Sequence, residues 1–256
     1  MKEAKLNGHW VELFASIEEL PIVRFHKYNK CMLVDAGLGS DLTAFDAHIE
    51  RVVRYIRADK REDAAKELEN MRQGIYMIIQ ELSPQYMAFA CLVARIDGKA
   101  YNDLSDEGLN KVMELMGGTP TKDIAAQSEA VKKKIDDELT LYFPAIFDDA
   151  RSKELYDILK QRAKTMLDCI IDGETQERTK RVEELTDMMI TFSKPKNFTG
   201  TGSLEIEYDK QFEDMCLLIS QNLHMDAKKM NVLEYYNAYQ FIERQTKAKK
   251  AQNKAR

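Results

Sequence analysis

The 256-residue sequence is poor in the two residues that interrupt helices, with 11 Gly and 5 Pro. A turn-rich sandwich or barrel needs more of both. Their scarcity beside 32% charged residues therefore excludes an all-β class and favours long helices with solvated outer faces. A cysteine framework is also lacking. Cys31, Cys91, Cys169 and Cys216 lie far apart in apolar segments, with no CxxC and no Cys/His pairing, so they read as reduced core thiols. No apolar run approaches the ~20 residues that cross a bilayer, the longest uncharged one being residues 86–94. Nor do Lys2, Glu3 and Lys5 lead into the apolar stretch of a secretory signal, so an intracellular setting is expected.

Charge of one sign is scarce except at one place. Residues 244–256 carry Arg244, Lys247, Lys249, Lys250, Lys254 and Arg256 with no acid; removing these six charges from the net −5 leaves −11 for the rest. A nucleic-acid-binding domain spreads basic charge over a folded face, so the acidic body argues against that class, although the tail itself could touch an acidic partner.

What is abundant is helical periodicity. Apolar residues make up 44% of the chain, enough for a core at this length. Leu42, Phe45, Ile49, Val52, Val53 and Ile56 follow helical spacing after a Ser40 cap, with Arg51, Arg54 and Arg57 turned outward. A third helix runs through Leu68, Met71, Ile75 and Leu82, and residues 85–96 read as a fourth, buried helix. Ser105 caps a short helix that ends at Gly117-Gly118. Three further helices carry Ile124, Val131, Ile135 and Leu139; Leu155, Ile158, Leu159, Met166, Cys169 and Ile170; and Val182, Leu185, Met189 and Phe192. After a loop, residues 204–223 read as helix rather than strand, and Asn231 with Glu234 forms a capping box for a last helix through Tyr235, Tyr236, Tyr239 and Ile242. The expected fold is all-α, a multi-helix bundle with a smaller C-terminal helical module. Its segments are residues 1–118, a long-helix segment 119–193, a linker 194–203, and a C-terminal module 204–256 ending in the basic tail.

Motifs for chemistry are weak. Asp103, Ser105, Glu107, Gly108 and Glu114 partly follow a calcium loop, but Asn110 occupies the apolar position and helical period already runs through it, so a capped helix start is preferred. Gly37-Leu38-Gly39-Ser40 lacks the third glycine of a dinucleotide turn. His9, His26, His48 and His224 form no i, i+4 pair, and the Asp136-Asp137-Glu138 and Asp148-Asp149 clusters read as solvated faces. No catalytic residue, metal ligand or cofactor site is nominated, and an enzyme is not expected. The candidate partner-binding residues are Tyr235, Tyr236 and Tyr239, which join apolar area to a polar handle, with Arg244, Lys247, Lys249 and Lys250 beside them.

Residues 89–109 combine an apolar helix, an Ile96-Asp97-Gly98 turn and an Asp103-Leu104-Ser105 helix start. This resembles small helical assembly proteins of tailed phages, including tail and baseplate assembly chaperones. Met230-Asn231-Val232-Leu233-Glu234-Tyr235-Tyr236, after Leu223-His224-Met225-Asp226, is similar to their closing break, aromatic helix and charged tail. The resemblance implies a non-enzymatic protein of virion or tail assembly, or a neck, connector or tail component, working in the host cytoplasm or the virion. Its partners would be phage structural proteins or further copies of itself, without membrane. The alternative is a cellular helical adaptor or regulator whose basic tail contacts nucleic acid.

Overall fold

In the computed structural model, Asn7 and Gly8 take φ of 46° and 84°, the two left-handed residues of a type I′ hairpin turn. They join β1 (Lys2–Leu6) to β2 (His9–Leu13), antiparallel, with Lys5 opposite Trp10. Leu6, Val11 and Leu13 point into the core while Glu3, Lys5 and Trp10 stay outside, the two-residue period of a half-buried sheet. Asp97 and Gly98, with φ of 49° and 76°, make a second such turn between β3 (Val93–Ile96) and β4 (Lys99–Ala100). Pairing of β2 with β3 gives the order β1-β2-β3-β4. The two turns clasp: the Asp97 carboxylate accepts from Trp10 N at 2.9 Å and meets His9 Nδ1 at 2.6 Å.

The fold is thus mostly helical, 74% helix, with a small antiparallel sheet, which corrects the all-α expectation. The helix expected over residues 85–96 stops early for the same reason. The helix, α4 (Pro84–Leu92), ends there because Val93, Ala94 and Ile96 face the core as a strand while Arg95 faces outward to Glu12.

The structure describes residues 1–34, 42–79, 84–117, 119, 121–147, 150–192, 195–198, 200 and 202–254, with backbone alone for 34, 42–44, 78–79, 121–122, 150–152, 191 and 249–254. The expected Ser40 cap and the Gly37-Leu38-Gly39-Ser40 segment lie outside these residues, as do Gly118 and Asp148-Asp149. Contacts divide the chain into two compact units. The first holds Met1–Asp35, Glu81–Pro144 and Thr199–Arg256, and the second Ala36–Gln80 and Ala145–Phe198. Each unit draws on more than one of the segments read from the sequence.

In the first unit, α1 (Ile22–Val34) packs on α4 (Pro84–Leu92), α5 (Asp106–Leu115) and α6 (Thr121–Tyr142) follow, and α10 (Leu204–Leu223) and α11 (Val232–Lys254) close the unit. Because α4 runs straight into a strand, its last carbonyls need partners from elsewhere. Phe14 N donates to Leu92 O at 2.9 Å. Arg24, itself buried, donates from Nη1 to Cys91 O and Val93 O, both at 3.0 Å, and from Nη2 to Tyr101 O. Its guanidinium also lies over the Phe14 ring, 5.3 Å from the centroid. One cation therefore caps a helix end, whose dipole is negative there, and ties it to the sheet.

The expected capping box is present at α11: Glu234 N donates to Asn231 Oδ1 at 2.8 Å and Asn231 N to Glu234 Oε2 at 3.0 Å. Ile22 N donates to Met230 O, Val232 N to Leu20 O and Leu233 N to Ile17 O. The start of α11 is stitched in this way to the segment preceding α1.

The second unit is built from two helical hairpins, α2 (Leu42–Arg57) with α3 (Arg61–Ile79) and α8 (Ala150–Asp172) with α9 (Gln176–Phe192), beside the short α7 (Pro144–Phe147). Val52, Tyr55, Ala64 and Met71 form its core with Phe45 and Ile190 against them. The inward face of α2 is rotated from the expected one. His48 is buried with its Nδ1 2.7 Å from Glu67 Oε1, Arg51 bonds the same carboxylate, and Ile49, Val53 and Ile56 are exposed. Burial alone would raise the Glu67 pKa, but the His48 and Arg51 hydrogen bonds outweigh it and hold the carboxyl below its ordinary value.

Candidate functional site

The candidate tyrosines lie on the first turns of α11. Tyr235 is buried, its ring 6.1 Å from Phe212 and 5.4 Å, edge on, from Tyr236. Tyr236 sits edge to face with Phe25 at 6.5 Å and tilted against Phe143 at 5.6 Å. Desolvation raises both phenol pKa values. Tyr239 is partly exposed one turn further on. The basic residues do not converge with these rings. Helix α11 continues through Lys254, so Arg244 and Lys247 stand exposed on its extension, Lys247 paired with Glu243 at 2.6 Å. Lys249 and Lys250 are on the same helix, with side chains outside the described set.

Next to this aromatic cluster, α10 docks on α1 through His26. The imidazole is stacked between Tyr208 and Phe212, centroids 4.5 and 3.9 Å away, and its Nε2 lies 2.8 Å from Asp209 Oδ1. Lys30 holds Asp209 Oδ2 at 2.6 Å and Glu205 at 2.9 Å. Burial between the rings lowers the His26 pKa despite the Asp209 carboxylate. Burial would raise Asp209, yet the bonds from Lys30 and His26 leave it below its ordinary value. The neutral imidazole is thus the form the fold prefers, and its contribution is complete above the unfolded value of about 6.5 and declines as pH falls through it. Melting curves should show a fall in Tm between pH 7 and 5.5 that is smaller in His26→Phe, which keeps the stack and removes the titration. An equal fall in both proteins would show that His26 does not carry the effect.

The remaining polar candidates have structural employment. Asp103 accepts from Ser105 N at 2.9 Å, and Ser105 Oγ from Gly108 N at 3.1 Å. The partial calcium loop is wound as the N-cap of α5, and a Cβ at residue 108 would come within 2.5 Å of Asp103. His224 ends α10 in the left-handed conformation, φ 54°. Cys31 and Cys91 hydrogen-bond across α1 and α4, and all four thiols are free. Among the described residues no group of three His, Cys, Asp or Glu is placed to hold a metal, and no helix is long and apolar enough to cross a membrane.

Among the described residues, concave places within single units include the following two. In the first, Tyr28, Tyr86, Ile124, Ser128 and Lys132 line a hollow of about 280 Å³, at the lower edge of the ~300–1,000 Å³ of ligand pockets. Burial pushes the Tyr28 pKa up to about 12. In the second, Arg54, Tyr55, Lys60, Glu183 and Asp187 line a groove of about 400 Å³, whose Arg54 is already paired with Asp187 at 2.8 Å and with Glu50.

The surface with the clearest capacity for a partner was not nominated from the sequence. Helix α8 turns Leu155, Ile158 and Cys169 inward, but it also exposes Tyr156 at 66%, Leu167 at 55%, Ile170 at 77% and Ile171 at 76%. Leu159 and Met166 lie on the same outer side and are exposed too. A helix facing water ordinarily presents charge there. The signal that marks this second face is the series Tyr156, Leu159, Ala163, Met166 and Ile170, spaced 3, 4, 3 and 4 residues apart.

No family model, curated protein or solved structure matches the chain.

Proposed function

We propose that this chain is a non-enzymatic helical protein that binds protein partners through helix faces, acting in virion or tail assembly, or as a neck, connector or tail component, of a tailed phage. The observation that carries protein contact is the outer face of α8, where several large apolar side chains stand exposed together, as they do at interaction sites. Exposed Ile49, Val53 and Ile56 on α2 and Leu68, Ile75 and Tyr76 on α3 add to it. The phage setting rests on the resemblance of residues 89–109 and 223–239 to phage assembly proteins. In this reading the C-terminal helical module contributes the solvent-facing part of α11, Tyr239, Arg244 and Lys247, rather than its buried rings.

The test is capture of the products of neighbouring genes, co-expressed with the tagged full-length chain. A capsid, portal or tail protein among them should co-purify, and Ile170→Glu/Ile171→Glu should lower its recovery at least tenfold while leaving the melting curve unchanged. A gene neighbourhood without particle components, or recovery indifferent to the double substitution, would overturn the proposal. Binding of duplex DNA through the basic end of α11 would favour the adaptor reading instead.

A further inference from the structure

We infer that the outer face of α8 pairs with the same face of a second copy of this chain, antiparallel and centred on Ala163. The inference rests on the protein-contact reading above and names the partner for that face. Tyr156, Leu159, Ala163, Met166 and Ile170 repeat at 3 and 4 residues, the spacing of a helix–helix seam rather than of scattered surface apolars. Leu167 and Ile171 widen the stripe to roughly 140° of the helix at 100° per residue. It runs about 21 Å from Tyr156 to Ile170 at 1.5 Å per residue.

A two-fold contact requires a surface to match itself when turned end over end. Rotated about Ala163, this stripe sets Tyr156 opposite Ile170, Leu159 opposite Leu167, and Ala163 opposite its own copy. Large side chains interlock at both ends, and a methyl group stands where the axes cross, which lets them approach toward the ~8 Å end of helix packing distances. A parallel pair would instead stack Tyr156 on Tyr156 at one end, crowding the largest side chains of the stripe together. A specific interface buries at least about 1,200 Å² in all, and toward it each copy offers Tyr156, Leu167, Ile170 and Ile171, every one more than half exposed.

The charges of α8 also favour a chain over a lipid surface. Glu154, Asp157, Asp168 and Asp172 offset all but one of Arg151, Lys153, Lys160, Arg162 and Lys164, whereas a helix that lies on an anionic bilayer carries a large basic excess.

The experiment uses the full chain. Light scattering after gel filtration should give the mass of two chains, and Tyr156→Glu/Ile170→Glu the mass of one with unchanged circular dichroism. In a Cys169→Ser background under mild oxidation, Ala163→Cys should cross-link to itself. Leu159→Cys should not, but should cross-link when mixed with Leu167→Cys. A single-chain mass at the highest concentration the protein tolerates, or self-cross-linking of Leu159→Cys, overturns the inference. So does adsorption of a monomer to phosphatidylglycerol vesicles through the same face. A monomer that still captures a particle protein sinks the pairing and leaves the proposed function standing, whereas a dimer that captures none does the reverse.

Discussion

Replacing Arg24 with Met should lower the stability of the first unit by about 3–5 kcal/mol, the cost of leaving buried hydrogen-bonding groups without a partner. The methionine fills similar space and continues to cover Phe14, so the loss isolates the polar work of the guanidinium. Cys91 O and Val93 O both lose their donor, as does Tyr101 O, at the point where helix gives way to strand. At this chain length the corresponding fall in Tm is on the order of 10 °C. Arg24→Lys should recover only part of it, since an ammonium lacks the planar fork that reaches three carbonyls at once. Thermal unfolding followed by circular dichroism gives the measurement. A Met variant that melts within 2 °C or so of the wild type would show that water replaces the guanidinium without penalty.

Truncating Tyr235 to Ala should cost about 3–5 kcal/mol, because it opens a cavity in a cluster that cannot collapse onto it. Phe212, Tyr236 and the Cys216 thiol surround the ring. Tyr235→Phe retains the ring and removes only the hydroxyl, so its loss should be nearer 1 kcal/mol. The pair of variants separates packing from hydrogen bonding in one comparison of melting curves. If Tyr235→Ala keeps the wild-type Tm while partner recovery collapses, the residue is an anchor for another protein and the core assignment is wrong.

Helices with dedicated caps were legible because each signal is local: Ser105 for α5, and Asn231 with Glu234 for α11. The first hairpin was missed, although Asn-Gly between alternating segments is the strongest short-range hairpin signal. It is obscured by Lys2, Glu3, Lys5 and Glu12, whose charges make the opening residues look like a polar leader. The strand at Val93–Ile96 is a different case. An apolar run of that length has no period that separates helix from strand, and its partner β2 lies some eighty residues earlier.

Burial of Tyr235 could not be read from spacing either, because an aromatic at a helical interval serves a core and an interface equally well. In α8, apolar residues occupy two faces about 130° apart at 100° per residue. A list of them as one stripe merges Ile158, which is buried, with Ile170, which is not. The rotation of α2 has a related origin, in that His48 counts as polar by residue type yet its pairing with Glu67 lets it enter the core.

The stitching of Met230 and Val232 to Leu20 and Ile22 has a consequence for biosynthesis. These bonds join residues roughly two hundred positions apart, so the first unit cannot close on the ribosome until the start of α11 has left the exit tunnel. The second unit needs nothing beyond residue 198 and is free to fold earlier. During that interval α1 waits with the surface that α10 and α11 will cover, a period in which a nascent-chain chaperone has the most to bind. Loss of the last helix by a premature stop would leave the earlier-made unit intact and the first one open.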